Sequence, residues 1–158
     1  MIVLGIDPGL ALTGWGVLIK EEKPKLIEYG CIKTSKNQKP SQRLLKIHQE
    51  LQKIIKKYKP EVLSLEKLFF NTNAKTAFSI GEARGVIKLC AVLNKIPLTE
   101  FTPLQIKNCI VGYGRASKKQ VQEMVKVQLG LDKIPRPDDA ADAIATALTF
   151  CFYNRKLS

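Results

Sequence analysis

The feature that most constrains the fold is a short apolar run near the start of the sequence that ends in an acid and a turn. Residues 2–6 are apolar throughout, and Asp7-Pro8-Gly9 follows them directly. A short apolar run bounded by turn residues is typical of a strand that is buried on both faces. We therefore predict a buried central β-strand with Asp7 at its carboxyl end.

Strand-like and helix-like segments follow one another along the rest of the sequence. Residues 12–19 and 25–34 have the pattern of strands and, with the first strand, suggest an antiparallel meander. Apolar residues recur at helical spacing over 41–58, which predicts an amphipathic helix that ends before Pro60. The remaining predicted elements are strands over 61–66 and 96–101 and helices over 74–93, 103–111, 117–130 and 138–153.

This order of elements predicts an α/β fold in which helices cover a mixed sheet. The sequence has 158 residues, and no linker, repeat or low-complexity segment divides it. A chain of this length is long enough to bury a core of its own. We therefore interpret residues 1–158 as one domain.

The charge of the chain favours a polyanionic partner. Its formal net charge is +12 and its pI is about 9.6, and a basic balance of this kind points to nucleic acid. No apolar run reaches the roughly 18 residues of a membrane-spanning helix. No basic amphipathic helix has the aromatic face that binds a membrane surface, so we expect no membrane partner.

The cysteines and the first residues indicate a cytoplasmic protein. The four cysteines lie far apart in apolar stretches, which favours reduced, buried thiols over a disulfide framework or a zinc site. The sequence begins without a basic leader, and Asp7 follows within seven residues. We therefore expect no secretory signal.

Acidic residues occupy the positions at which α/β proteins build their sites. Glu66 ends the fourth predicted strand, and Asp138, Asp139 and Asp142 lie in the first turns of the last helix. Sites in open α/β sheets form beyond the carboxyl ends of the strands. If the first and fourth strands are adjacent and parallel, Asp7 and Glu66 meet there. Asp142 shares a helix face with both Asp139 and Asp138, so spacing leaves that choice open.

A cluster of carboxylates of this kind is suited to binding cations. Neighbouring carboxylates repel one another unless a cation joins them, and Mg²⁺ prefers oxygen ligands. Two Mg²⁺ ions about 3.5–4 Å apart stabilise the attacking and leaving oxygens of a phosphodiester. His48 is the single histidine and lies within the amphipathic helix, so we interpret it as structural. The pattern is consistent with metal-dependent phosphodiester hydrolysis.

Four segments of the sequence resemble the RuvC family of bacterial Holliday-junction resolvases. They follow in order over essentially the whole chain and read GIDPGLALTGWGV, LEKLFFNTNAKTAFSIGEARGV, VGYGRASKKQVQEMV and DDAADAIATAL. The resemblance implies a ribonuclease-H-like fold with a five-stranded mixed sheet flanked by helices. It also implies a homodimeric endonuclease of DNA recombination and repair, which nicks a four-way junction symmetrically with Mg²⁺.

The resemblance implies roles for individual acids. The family's catalytic and metal-binding acids match Asp7, Glu66, Asp139 and Asp142, which would hold two Mg²⁺ ions per site, with Mn²⁺ as a substitute. Asp138 is an additional acid that competes with Asp139 for the third position.

The resemblance also implies contacts with four-way junction DNA. Lys107, Lys118 and Lys119 match the family's basic positions and are expected to contact phosphates, with Arg115 as a further candidate. Lys118 or Lys119, at a helix start, could also stabilise the charge of the scissile phosphate. Phe69 would stack on an unpaired base near the crossover.

Several points stay open at this stage. Phe69 or its neighbour Phe70 could instead close the core. The helix over 74–93 is the candidate dimer element, because Gly81, Ala83 and Gly85 permit close approach. Docking with the RuvA and RuvB branch-migration proteins is implied by the resemblance alone.

Three alternative functions are compatible with parts of the sequence. Asp7-Pro8-Gly9 with Thr13-Gly14 is similar to the phosphate loop of ATP-binding proteins of the actin and sugar-kinase class, but those proteins need a second such domain. A related nuclease that acts on RNA or on non-junction DNA is a second alternative. A junction-binding module without catalysis is the third, and the intact acid set argues against it.

Overall fold

The computed structural model describes residues 1–67 and 74–153. Its strands are β1 (Ile2–Asp7), β2 (Leu12–Ile19), β3 (Lys25–Lys33), β4 (Val62–Glu66) and β5 (Leu98–Phe101). Its helices are α1 (Pro40–Tyr58), α2 (Ala74–Leu93), α3 (Pro103–Ile110), α4 (Lys118–Leu129) and α5 (Asp138–Tyr153).

The strands form one mixed sheet in the order β3-β2-β1-β4-β5. β1, β2 and β3 pair antiparallel, which confirms the predicted meander. β4 pairs parallel with both β1 and β5. The predicted strand over 96–101 is two residues shorter at its start, where Pro97 has no amide hydrogen to give to a ladder.

Helix α5 lies close against the sheet because glycines of β1 and β2 face it. A Cβ atom at Gly5 would come within 2.1 Å of the Ala143 carbonyl oxygen, and one at Gly14 within 2.0 Å of the Asp139 carbonyl oxygen. Gly14 is the register partner of Asp7. Because glycine has no side chain, the first turn of α5 can pack next to the carboxyl end of β1.

Alternate residues of β4 face different helices. Leu63 and Leu65 are fully buried in the cluster that β4 forms with α1 and α2. Ala83 of α2 is fully buried in the same cluster, so its predicted place on a dimer face is wrong. The Ser64 hydroxyl donates to the Thr146 carbonyl of α5 at 3.0 Å, from the other face of the sheet. Because side chains alternate along a strand, Glu66 shares the α5 face with Ser64.

The predictions about membrane-spanning helices and about the cysteines can be compared with the described residues. No helix within residues 1–67 and 74–153 is both long and apolar enough to cross a membrane. The cysteines are thiols rather than disulfides, as expected, but Cys90 and Cys151 are buried whereas Cys31 and Cys109 are only half-buried.

Candidate active site

Asp7 and Glu66 lie at the same edge of the sheet. β1 and β4 are adjacent and parallel, with a register that runs from Val3 opposite Val62 to Ile6 opposite Leu65. Asp7 and Glu66 are the next residues in that register and the last residues of their strands. The two strands are thus adjacent and parallel, which is the arrangement that the sequence analysis required for Asp7 and Glu66 to meet.

Burial and negative charge together perturb Asp7. Burial raises its pKa well above the ordinary value of 3.8, and the charges of Asp142, Glu66 and Asp139 raise it further. Lys118 has the opposite, lowering effect. The negative charges of β4 and α5 therefore act together on the Asp7 carboxylate at the end of β1.

The two neighbouring carboxyls are perturbed in the same direction. Burial is the first cause of the raised pKa of Glu66, and the charge of Asp142 is the second. Burial also raises the pKa of Asp142, against the lowering effect of its hydrogen bond with Lys118. Raised carboxyl pKa values at one sheet edge indicate a site that favours a bound cation.

Asp138 and Asp139, the two acids in the first turn of α5, have different neighbours. Asp139 lines a cleft with Asp7, and its charge is among the causes of the raised pKa there. Asp138 is instead paired with Arg136 and lies 4.0 Å from the Lys118 amine. Of the two, Asp139 is thus the acid that faces Asp7.

A cleft of about 230 Å³ lies between α3, α4 and α5. It is lined by Glu66 and Asp142 together with Lys107 and Lys118. A second cleft of about 700 Å³ contains Asp7 and Asp139. Asp142, in the first cleft, has the strongest charge influence on Asp7, in the second.

Lys118 is held at the site by the start of α4. The Ser117 side chain accepts a hydrogen bond from the Gln120 amide, which confirms the predicted capping box. The Lys118 amine then lies 2.8 Å from the Asp142 carboxylate. Desolvation lowers the pKa of Lys118, but the hydrogen bond and charge of Asp142 outweigh it, so the pKa is raised overall.

The other predicted DNA-binding residues differ in how close they lie to the acids. Lys107 is half-buried in the last turn of α3, and its charge lowers the pKa of Glu66. Arg115 and Lys119 are exposed and, within the described chain, line neither acidic cleft. Phe69 lies outside the described residues.

Two arginines near the site were missed by sequence reasoning. Arg43, in α1, lines the cleft that contains Asp7, and its Nε donates to the Thr34 hydroxyl at 2.8 Å. Arg84, in α2, is buried and contacts the main chain of Glu66. No motif distinguished Arg43 from the other basic residues of its helix. For Arg84 the sequence did offer a signal, because it is a charged residue among small and apolar residues of α2.

The donor set fits a hard cation such as Mg²⁺. Carboxylate oxygens are the ligands that Mg²⁺ prefers, and three of the four acids have pKa values that a bound cation would lower. In the described ranges no three acidic, histidine or cysteine side chains are already gathered closely around one point.

Comparison with known proteins gives one consistent family. The family model for crossover junction endodeoxyribonuclease RuvC matches residues 3–150. A crossover junction endodeoxyribonuclease RuvC from Caldicellulosiruptor saccharolyticus is 54% identical over 150 residues, covering 94% of this chain and 90% of the relative. One from Caldanaerobacter subterraneus is 50% identical over 158 residues, covering 99% and 96%.

Solved structures agree with the sequence comparison. Thermus thermophilus RuvC in complex with a Holliday junction substrate superposes with a TM-score of 0.93 at 35% identity, covering 99% of this chain and 96% of that one. The yeast mitochondrial Holliday junction resolvase has a TM-score of 0.67 at 17% identity, covering 98% and 81%, and supports the fold alone. The expected ribonuclease-H-like fold is thereby confirmed.

Proposed function

The chain belongs to the RuvC family of crossover junction endodeoxyribonucleases, and we propose that it resolves Holliday junctions with Asp7, Glu66, Asp139 and Asp142 as its catalytic carboxylates. As a member of this family it is an endonuclease that acts on DNA. The observation that carries the residue assignment is geometric: Asp7 and Glu66 end adjacent parallel strands, and α5 places Asp139 in a cleft with Asp7 and Asp142 in a cleft with Glu66.

We propose Mg²⁺ as the metal, since the nucleases of this family depend on metal ions and the donors here are all carboxylates. Two bound ions would supply a water of lowered pKa and offset the charge of the departing 3′ oxygen. Asp7 and Glu66 hold fixed positions because each ends a strand of the sheet. Asp139 and Asp142 are placed by the packing of α5 on the glycines.

Lysines of the cleft contribute positive charge where the phosphate must lie. Lys118 and Lys107 line the same cleft as Glu66 and Asp142. Their amines can offset charge on the scissile phosphate as it develops in the transition state. Arg115, Lys119 and Phe69 stay predictions as DNA contacts, and the net charge of +12 favours the contacts with phosphates in general.

We further propose that the enzyme is a homodimer formed through α2. Phe78, Leu89 and Val92 are 72%, 54% and 73% exposed. Gly81 and Gly85 recur between them at the same helical spacing, and a Cβ atom at either would meet nothing within 4 Å. An exposed apolar stripe of this kind marks an interaction surface, and a two-fold pairing would supply the two sites that paired nicks require. Docking of RuvA and RuvB stays a prediction.

Cleavage of a synthetic immobile four-way junction tests the proposed function. With Mg²⁺ we expect paired nicks in the junction and none in a duplex of matched sequence. Asp142→Asn is expected to abolish nicking and to leave junction binding intact, whereas Asp132→Asn, an exposed acid in the loop after α4, serves as the matched control. A normal nicking rate in Asp142→Asn would remove that carboxylate from the site. Binding by the wild type without nicking would favour a junction-binding module.

A further inference from the structure

Arg84 is a buried charge in the middle of α2. Only 8% of the surface of Arg84 is exposed. Burial of a guanidinium costs free energy unless its charge is paired and its hydrogen bonds are made. One terminal nitrogen donates to the main-chain carbonyl of Glu66, and the other donates to the Glu100 carboxylate. The guanidinium therefore joins α2 to the ends of two strands.

Glu100 lies where it can hold Arg84 in place. It belongs to β5 and pairs in register with Leu65, the residue before Glu66. Lys88, one helical turn after Arg84, places its amine 3.1 Å from the same carboxylate. Charge-assisted hydrogen bonds of this kind are short and directional. The Arg84–Glu100 pair is thus anchored from both the helix and the sheet.

The contact reaches Glu66 from the side away from its carboxylate. Arg84 belongs to α2, which covers the face of the sheet that contains Leu63 and Leu65. The Glu66 side chain shares the opposite face, with the cleft of Lys118 and Asp142. Arg84 can therefore fix the main chain of Glu66 without occupying the space where DNA and metal would bind.

We propose that Arg84, held by Glu100, is a positioning residue that sets where the Glu66 carboxylate stands relative to the acids of α5. The register between β4 and β1 ends at Leu65, so β5, through Phe101, is the strand that pairs with Glu66. The charged hydrogen bond to its carbonyl supplies the second constraint. The inference rests on the proposed role of Glu66 as a catalytic carboxylate and deepens it.

Losing this constraint is expected to affect chemistry more than DNA binding. A misplacement of about 1 Å at a reacting group can cost roughly 100-fold in rate. Groups that orient metal ligands contribute about 10- to 100-fold in metal affinity or activity. A residue that only attaches α2 to the sheet would lower stability instead, and would leave the folded fraction fully active.

The test compares Arg84→Met with Lys88→Met, which removes the other cation on Glu100 but no contact to Glu66. Three quantities are measured in the folded proteins: single-turnover cleavage of an immobile junction in Mg²⁺, junction binding in Ca²⁺, and Mn²⁺ binding by calorimetry without DNA. For Arg84→Met we expect cleavage about 100-fold slower and Mn²⁺ affinity about 10-fold weaker. Junction binding is expected within a factor of about two of the wild type, and Lys88→Met is expected to behave as the wild type.

Wild-type cleavage and Mn²⁺ affinity in Arg84→Met would overturn the inference. If Arg84→Met does not fold, Glu100→Gln decides, because it keeps an acceptor for Arg84 and removes the charge that holds it. Reduced cleavage and Mn²⁺ affinity in Glu100→Gln support the inference, and wild-type values overturn it. Absence of cleavage by the wild type would instead contradict the proposed function itself.

Discussion

At the scale of single residues, the acidic site is destabilising for the protein that contains it. The pKa of Asp7 is raised by burial and by three other acids, so the folded chain disfavours its charged form. A carboxyl with a raised folded-state pKa holds its proton in the folded chain at pH values where the unfolded chain has lost it. Stability therefore falls as pH rises from the ordinary pKa of 3.8 through the raised pKa, and stays low above it.

Asp7→Asn is accordingly expected to stabilise the metal-free protein at neutral pH while abolishing cleavage. A gain of about 1 kcal/mol corresponds to a rise in Tm of about 2–4 °C for a chain of this size. The gain is expected to vanish below pH 3.8, where Asp7 is neutral in both states. Thermal unfolding monitored by circular dichroism across this pH range measures it. A lower Tm for Asp7→Asn at pH 7 would contradict the assigned repulsion.

Lys118 is expected to act on the rate of cleavage through its charge in the acidic cleft. Its amine lies 2.8 Å from Asp142 and lines the cleft with Glu66. Lys118→Met is expected to slow single-turnover cleavage by about 10²- to 10³-fold, the cost of losing one transition-state contact. Lys133→Met removes an exposed lysine after α4 and serves as the charge-matched control. Equal rates for both variants would remove Lys118 from catalysis.

Sequence reasoning named all four acids of the candidate site, but spacing alone did not determine how the acids of α5 are arranged. Strand ends predicted that Asp7 and Glu66 meet, because the carboxyl ends of adjacent parallel strands share one edge. Spacing left Asp138 and Asp139 equivalent, since both lie on the α5 face of Asp142. Their difference comes from the packing of α5 on Gly14, which is a tertiary contact. Arg84 was missed because the burial of a long side chain depends on partners distant in sequence.

At the scale of elements, the position of the acids depends on the distance between α5 and the sheet. A Cβ atom at Gly14 would lie 2.0 Å from the Asp139 carbonyl oxygen, so any side chain there displaces the start of α5. Gly14→Ala is expected to cost about 1–3 kcal/mol of unfolding free energy by overpacking. It is also expected to slow cleavage in the folded fraction. Urea unfolding and single-turnover cleavage measure the two effects.

The matched control for Gly14→Ala is Gly81→Ala, at which a Cβ atom meets nothing within 4 Å in the single chain. Because Gly81 lies in the proposed dimer face, the stability of both variants is compared in a Phe78→Asp background, which removes that contact. Alanine in an exposed helix position is expected to stabilise by about 0.5–1 kcal/mol over glycine. The two identical substitutions are therefore expected to change stability in opposite directions. Similar stability changes at both positions would show that α5 does not depend on Gly14.

Elements were easier to predict than the contacts between them. The predicted end of α2 at Leu93 and start of α5 at Asp138 agree with the observed helices, because turn residues follow the first and Pro137 and two acids mark the second. β5 is shorter than predicted, since the apolar run includes Pro97, which has no amide hydrogen to donate to the ladder. Local rules thus identify the elements, whereas the glycine contacts that set the α5–sheet distance depend on the register of β1 and β2.

At the scale of the whole molecule, two nicks in one junction require two active sites in a fixed relation. The described part of one chain provides one acidic cluster, so the second must come from a partner chain when both nicks are made in one binding event. The exposed apolar face of α2 offers a dimer surface, and Arg84 lies on the same helix, directed toward Glu66. The proposed interface and the proposed catalytic site are therefore connected through one element.

A charge on the α2 face is expected to separate the two nicks without destroying either site. Phe78 is 72% exposed, so Phe78→Asp removes an apolar interface contact at little cost to the folded monomer. Val127→Asp, at a 66% exposed valine of α4, is the matched control. We expect Phe78→Asp to sediment as a monomer at micromolar concentration and Val127→Asp as a dimer.

On a supercoiled plasmid with an extruded cruciform, paired nicks give linear product and single nicks give open circles. Phe78→Asp is expected to shift the product toward open circles, because its two cuts become independent events. Linear product at the wild-type proportion from a monomeric Phe78→Asp would contradict a dimer through α2.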